Sequence, residues 1–196
     1  MELTWDTLQQ SCEGCQKCGL GTTRTRLAFG TGCRDAEVLL VGEGPGQQED
    51  LTGEPFVGRA GQLLDVMLAA VGLSRKRNVY IANIVKCRPP GNRDPLPAEQ
   101  EACLPWLRGQ VSLIRPKIIV CLGRIAACRL IDPDFRITRQ HGQFFYVKGT
   151  LMTATFHPSA LLRNPAQKAD AFADFLLLRE KITGICNRTE LHYEQP

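Results

Sequence analysis

Apolar residues along this chain fall into short runs and amphipathic stretches, separated by polar segments rich in glycine and proline. Val38-Leu39-Leu40-Val41, ending at Gly42, is a continuous apolar run of strand length. Such a run marks a strand covered on both faces. Gly61 to Val71 repeats its apolar positions at helical spacing and stops at Gly72. Val79 to Val85 reads as a second strand. Pro97 to Ile114 reads as a long amphipathic helix, with proline at its start and Pro116 just past its end. Lys117 to Leu122 is a third strand, and a helix follows Gly123 to about Ile131. Phe144 to Val147 and Leu151 to Phe156 predict a hairpin around Lys148-Gly149, and Ala169 to Ile182 a C-terminal helix.

Strands that alternate with helices predict an α/β fold, a largely parallel sheet covered on both sides. In such folds ligands bind beyond the carboxyl ends of the strands. The polar, Gly/Pro-rich segments lie at those ends: GEGPGQQED after the first strand, KCRPPGNRDP after the second, and HPSALLRNP after the last. Three loops are therefore expected to converge on one edge of the sheet.

The chain has 196 residues, enough for one domain with a real core, and neither a repeat nor a low-complexity linker divides it. The polar tail from Asn187 to Pro196 is expected to be disordered. No apolar run reaches the length of a membrane span, and the first residues lack the basic-then-apolar pattern of a signal peptide, so a cytoplasmic location is expected. A net charge of +4 allows, without requiring, a face that meets phosphate.

The nine cysteines change the picture more. An odd number without a secretion signal argues against a disulfide framework and for metal binding by the clustered ones. Cys15-x2-Cys18 can grip one metal from a single turn. Cys87, in a proline-rich loop, and Cys103, in the first turns of the next helix, can complete a four-thiolate set. Cys12-x2-Cys15 is an equally valid pair on spacing. Zinc and an iron–sulfur cluster are both compatible, although zinc ribbons favour two tight pairs and the fifteen residues between Cys87 and Cys103 suit a cluster better. Cys33, Cys121, Cys128 and Cys186 read as buried thiols.

Four segments, GEGPGQQED (42–50), GEPFVGRAGQLL (53–64), YIANIVKCRPPGNRDP (80–95) and HPSALLRNP (157–165), together resemble the family 4 uracil-DNA glycosylases. The resemblance runs from Cys15 to about the C-terminal helix. Arg24-Thr25-Arg26 after Cys18 resembles the family stretch that follows its leading pair, which favours Cys15 and Cys18 as ligands. Family 5 glycosylases have GLAPG where this chain has Glu43, and a cross-linking relative has GEQPG and a longer basic loop that is missing here.

The resemblance implies a three-layer α/β/α sandwich with a central, mainly parallel four-stranded sheet. It implies a [4Fe–4S] cluster on Cys15, Cys18, Cys87 and Cys103, and uracil-containing DNA as partner. For the pocket it implies that Asn83 reads the uracil edge, Phe56 stacks on the flipped base and Glu49 excludes the thymine methyl. His157 would donate to uracil O2, and Glu43 would serve the electrostatics of the sugar or the loop. Backbone N–H groups at Gly44 and Gly46 are expected near the departing base. Leu161, Leu162 and Arg163 are expected to fill the gap left in the DNA, Ser159 to hold a phosphate, and Lys86, Arg88 and Arg93 to meet phosphates. A non-catalytic iron–sulfur DNA-binding or electron-transfer module is the competing class, and it predicts no release of free uracil. A monomer is expected, and no docking motif for a sliding clamp or another repair protein is evident.

Overall fold

The computed structural model describes residues 3–193. Its helices are α1 (Trp5–Glu13), α2 (Leu20–Thr23), α3 (Gln47–Thr52), α4 (Arg59–Ala69), α5 (Pro97–Ile114), α6 (Arg124–Leu130), α7 (Ile137–Gln140), α8 (Pro158–Arg163) and α9 (Lys168–Ile185). Its strands are β1 (Thr31–Gly32), β2 (Val38–Gly42), β3 (Val79–Asn83), β4 (Ile118–Leu122), β5 (Phe144–Val147) and β6 (Thr150–Thr155). They form one sheet in the order β1-β3-β2-β4-β6-β5. The four inner strands β3, β2, β4 and β6 run parallel, as expected. The sheet has six strands rather than four, because β1 and β5 add antiparallel edges.

The continuous apolar runs have a simple cause. In β2, Leu39 and Val41 face a core layer shared with Leu104 and Leu107 of α5 and Ala126 of α6. Val38 and Leu40 face the other layer, with Leu64 and Leu68 of α4 and Phe175, Leu178 and Ile182 of α9. Side chains alternate across a strand, so a strand packed by helices on both sides must be apolar at every position. Each such Leu or Val stabilises the fold by roughly 1.5–3 kcal/mol. The result is a three-layer α/β/α sandwich.

The tail departs from expectation. The Glu37 carboxylate is buried and accepts from the backbone N–H groups of Asn187 (3.1 Å) and Arg188 (2.7 Å) and from the Thr189 hydroxyl (3.0 Å). Asn78 donates to the Glu190 carbonyl, and the His192 N–H to that of Gly72. Residues 187–192 are therefore docked, while 194–196 lie outside the described residues. No described helix is long and apolar enough to cross a membrane.

Candidate active site

The carboxyl ends of the parallel strands meet at one edge. Gly42 of β2 pairs with Asn83 of β3, and Leu122 of β4 with Thr155 of β6. The segments leaving these ends wall a cavity of about 490 Å³, lined among others by Glu43, Gly44, Gly46, Glu49, Phe56, Asn83, Arg93, His157, Ser159 and Arg163. The three predicted loops do converge.

Asn83 is 1% exposed, and its Oδ1 has no hydrogen-bond partner. An unpaired buried acceptor costs the free protein about 1–3 kcal/mol, so its presence at a cavity wall needs an explanation. Gly42 explains how Phe56 approaches it. A Cβ on Gly42 would lie 2.5 Å from both Asn83 Oδ1 and Phe56 Cζ. Phe56 itself takes a left-handed backbone conformation (φ 56°) that a bulky residue rarely adopts. Its ring centroid is 5.6 Å from that of His157.

His157 is the N-cap of α8. Its Nδ1 accepts from the Ser159 backbone N–H (3.1 Å) and lies 2.8 Å from Ser159 Oγ. An accepting Nδ1 in a neutral ring puts the proton on Nε2. Burial, aided by the charge of Arg163, pushes the imidazole pKa down to about 4, so the ring is neutral at physiological pH. Gly123 leaves room for it, since a Cβ there would sit 2.8 Å from that of His157. Ser159, expected on a phosphate, instead directs its hydroxyl to this ring.

Burial pushes the Glu43 pKa up to about 7, with Asp94 adding to the rise and Arg124 and Arg163 opposing it. Glu49 is braced. Its Oε1 accepts from Val57 and Gly58 N–H (2.9 Å each) and its Oε2 from Gly46 N–H (3.1 Å). The Gly46 N–H is thus committed to Glu49 rather than free for a departing base. Gly44 lies close against Val85, where a Cβ would come within 2.7 Å of Cγ2.

Lys86 requires a correction. It is fully buried, and its Nζ donates to the Asn83 carbonyl (2.9 Å) and Gln110 Oε1 (2.6 Å). A phosphate cannot reach it. Burial lowers its pKa to about 8. Leu161 is likewise core, leaving half-buried Leu162 and exposed Arg163 at the lip. Arg88 pairs with Asn92 Oδ1 (2.8 Å), and exposed Arg93 forms a two-point ion pair with Glu99 (2.6 and 2.8 Å).

The sequence reading missed Arg124 and Asp94, an exposed ion pair (2.7 Å) whose two members line the cavity. Arg124 begins the segment after β4, a fourth strand end to which the same carboxyl-edge rule applies.

A second cleft is lined by Cys12, Cys15, Cys18, Cys87 and Cys103, together with Arg24, Lys86 and Trp106. Arg24 Nη1 donates to Cys87 Sγ (3.2 Å) and the Lys86 N–H to Cys103 Sγ (3.3 Å). The Trp106 indole N–H is buried without a partner. Among the described residues no group of three or more His, Cys, Asp or Glu is already arranged around a metal position. The donor set nevertheless fits a thiolate-held centre: four cysteines of the expected positions share one cleft, sulfur atoms there accept N–H donors, and one further donor is unsatisfied. Cys12 lies in the same cleft but is completely buried at the end of α1, with its pKa pushed up to about 12 by burial.

An α/β/α sandwich with such a pocket at its carboxyl edge defines a class: residues 29–178 match the model of the uracil DNA glycosylase superfamily. Within it, the chain is 44% identical over 193 residues to the type-4 uracil-DNA glycosylase of Archaeoglobus fulgidus, covering 94% of each. It is also 44% identical over 161 residues to that of Thermotoga maritima, covering 81% of this chain and 83% of the relative. A type-5 enzyme of Pyrobaculum aerophilum is 35% identical over 143 residues, covering 65% and 63%. The chain belongs to the type-4 uracil-DNA glycosylase family.

Proposed function

We propose that this chain receives a deoxyuridine extruded from DNA and hydrolyses its N-glycosidic bond, releasing uracil and leaving an abasic site. The observation that carries this reading is the unpaired, buried Asn83 Oδ1 beside Phe56 and His157. Uracil N3–H supplies the missing donor, and the Asn83 amide N–H meets O4. Phe56 stacks on the base. Neutral His157 donates its Nε2–H to O2, where negative charge gathers as the base departs, and needs no proton transfer to do so. Glu43, ionised above about pH 7, supports the cationic sugar or orients the attacking water. Glu49, held by three N–H groups, cannot swing aside, which suits rejection of a 5-methyl group.

Arg88, Arg93 and Arg163 meet the phosphates, and Leu162 fills the vacated stack. Extrusion costs a few kcal/mol, less from a mismatch or single strand, so both double- and single-stranded substrates are accepted. The chain acts as a monomer, in the cytoplasm where bacterial and archaeal DNA lies. A non-catalytic module has no support from relatives whose names are those of enzymes.

Cys15, Cys18, Cys87 and Cys103 hold a [4Fe–4S] cluster. Held by these four thiolates, such a cluster would supply a structural cross-link rather than redox chemistry, and Cys87 would tie the loop carrying Arg88 and Arg93 to the N-terminal turn. Brown colour, broad visible absorbance and about four irons per chain are expected, whereas a colourless zinc protein would remove the cluster from this reading.

The functional test is incubation with a uracil-containing oligonucleotide followed by alkaline strand scission. Cleavage at the uracil, absent from a thymine control and lost in Asn83→Ala and His157→Ala, is expected. No scission by the intact protein would end the proposal.

A further inference from the structure

The stacking ring sits on a backbone that does not favour its own shape. Phe56 holds φ at 56°, a left-handed region unfavourable to a bulky non-glycine residue. Something must therefore hold it there. Gly61, in the first turn of α4, packs directly on the Phe56 carbonyl, and any side chain at that position would overlap it. Among the described residues no backbone N–H donates to this carbonyl.

Arg75, from the loop between α4 and β3, supplies the restraint. Its Nη1 donates to the Pro55 carbonyl (2.9 Å) and its Nη2 to the Phe56 carbonyl (2.6 Å). Its Nε donates to Asp65 Oδ1 on α4 (2.8 Å), and Glu54 Oε1 lies 3.8 Å from Nη1. The Arg75 side chain is 12% exposed, so its two bonds to the carbonyls are partly shielded, while the carboxylates of Asp65 and Glu54 face solvent. A guanidinium is a rigid planar fork, and here each of its three nitrogens has a partner. Lysine offers a single point and cannot hold two successive carbonyls and a carboxylate at once.

We infer that Arg75 is a positioning residue for uracil excision: it locks the left-handed Phe56 so that the ring is presented to the flipped base before the base arrives. The inference rests on the reading of Phe56 as the stacking platform. Arg75 itself does not line the cavity.

The test is single-turnover excision by Arg75→Gln, Arg75→Lys, Phe56→Ala and the double variant Arg75→Gln/Phe56→Ala, alongside binding of abasic-site DNA. Misplacing a reacting partner by about 1 Å can cost on the order of 100-fold. Arg75→Gln and Arg75→Lys are expected to slow excision roughly 10- to 100-fold, with abasic-DNA affinity within about 2-fold. The double variant should be no slower than Phe56→Ala, because Arg75 acts through that ring. Asp65→Asn, which removes the Nε anchor and leaves the carbonyl clamp, provides a milder variant should Arg75→Gln melt early, and should show the same pattern at smaller size. Multiplicative losses in the double variant, or excision by Arg75→Gln at the intact rate, would overturn the inference. If Phe56→Ala alone excises normally, the platform reading itself fails and takes the inference with it.

Discussion

Asn83→Ala should separate stability from activity in opposite directions. In the free protein Asn83 Oδ1 is buried without a partner, and such an acceptor costs about 1–3 kcal/mol. Truncation removes that cost but also forfeits the packing of a small amide. The balance leaves the variant as stable as the parent or up to about 1 kcal/mol more stable, a rise of roughly 2–4 °C in Tm for a domain of this size. Activity answers to the same atoms with the opposite sign. On the proposed reading two hydrogen bonds to uracil disappear, together worth about 3–5 kcal/mol, or roughly 10²–10⁴ in the single-turnover rate. Urea denaturation gives the first quantity and oligonucleotide cleavage under excess enzyme the second. A variant that loses more than about 2 kcal/mol of stability would mean that Asn83 is a structural strand-end residue, and the reasoning from its unpaired oxygen would be wrong.

Two further predictions concern carboxylates whose pKa values are displaced. Glu43 is raised to about pKa 7, so kcat/KM should climb as pH rises through that value and the carboxylate ionises. Glu43→Gln should abolish this limb and lower the plateau by about 10- to 100-fold, and a parent profile that falls over the same interval would contradict the role. Glu37 is held down to about 2 by Lys117 and the N–H and hydroxyl donors of 187–189, against an ordinary value of 4.5. Its folded pKa is depressed, so its contribution is complete above about 4.5 and is lost as pH falls toward 2. Glu37→Gln should cost about 2–3 kcal/mol at neutral pH in urea denaturation and free the tail to limited proteolysis, with excision unchanged.

The sandwich was legible in the chain because its causes are local. A strand clamped between two helical layers must be apolar throughout, and β2 and β4 announce themselves that way. A helix must repeat its apolar face, and α5 begins and ends at Pro97 and Ile114 as its proline signals predict. The site followed from the same logic. Polar, glycine-rich segments at carboxyl strand ends have one place to go, so the loops carrying Glu43, Asn83 and His157 were expected at one edge, while the roles proposed for these residues came from the family resemblance. The short helices α3 and α8 were hidden inside those segments, because Gly46, Pro158 and their neighbours read as loop.

What escaped is what depends on partners far along the chain. A lysine beside Cys87 looks like a surface cation until Gln110, twenty-four residues away, and the Asn83 carbonyl accept from its ammonium in the core. A polar tail looks disordered until Glu37, about 150 residues earlier, gathers its N–H groups. Arg75 carries little signal, since apart from Asp65 its hydrogen-bond partners are the backbone carbonyls of Pro55 and Phe56, and a carbonyl leaves no trace in sequence. These three cases share one physical origin. A buried charge is costly unless its bonds are met, so each marks a place where distant segments are tied together. Two of the ties end on the pocket: Lys86 holds the carbonyl of Asn83, proposed to read the base edge, and Arg75 holds the carbonyl of Phe56, proposed as the stacking platform. On the proposed reading, the surface that receives the base is fixed from behind by two cations that do not line the cavity. Substitutions at these positions should therefore alter excision without altering any residue that touches DNA.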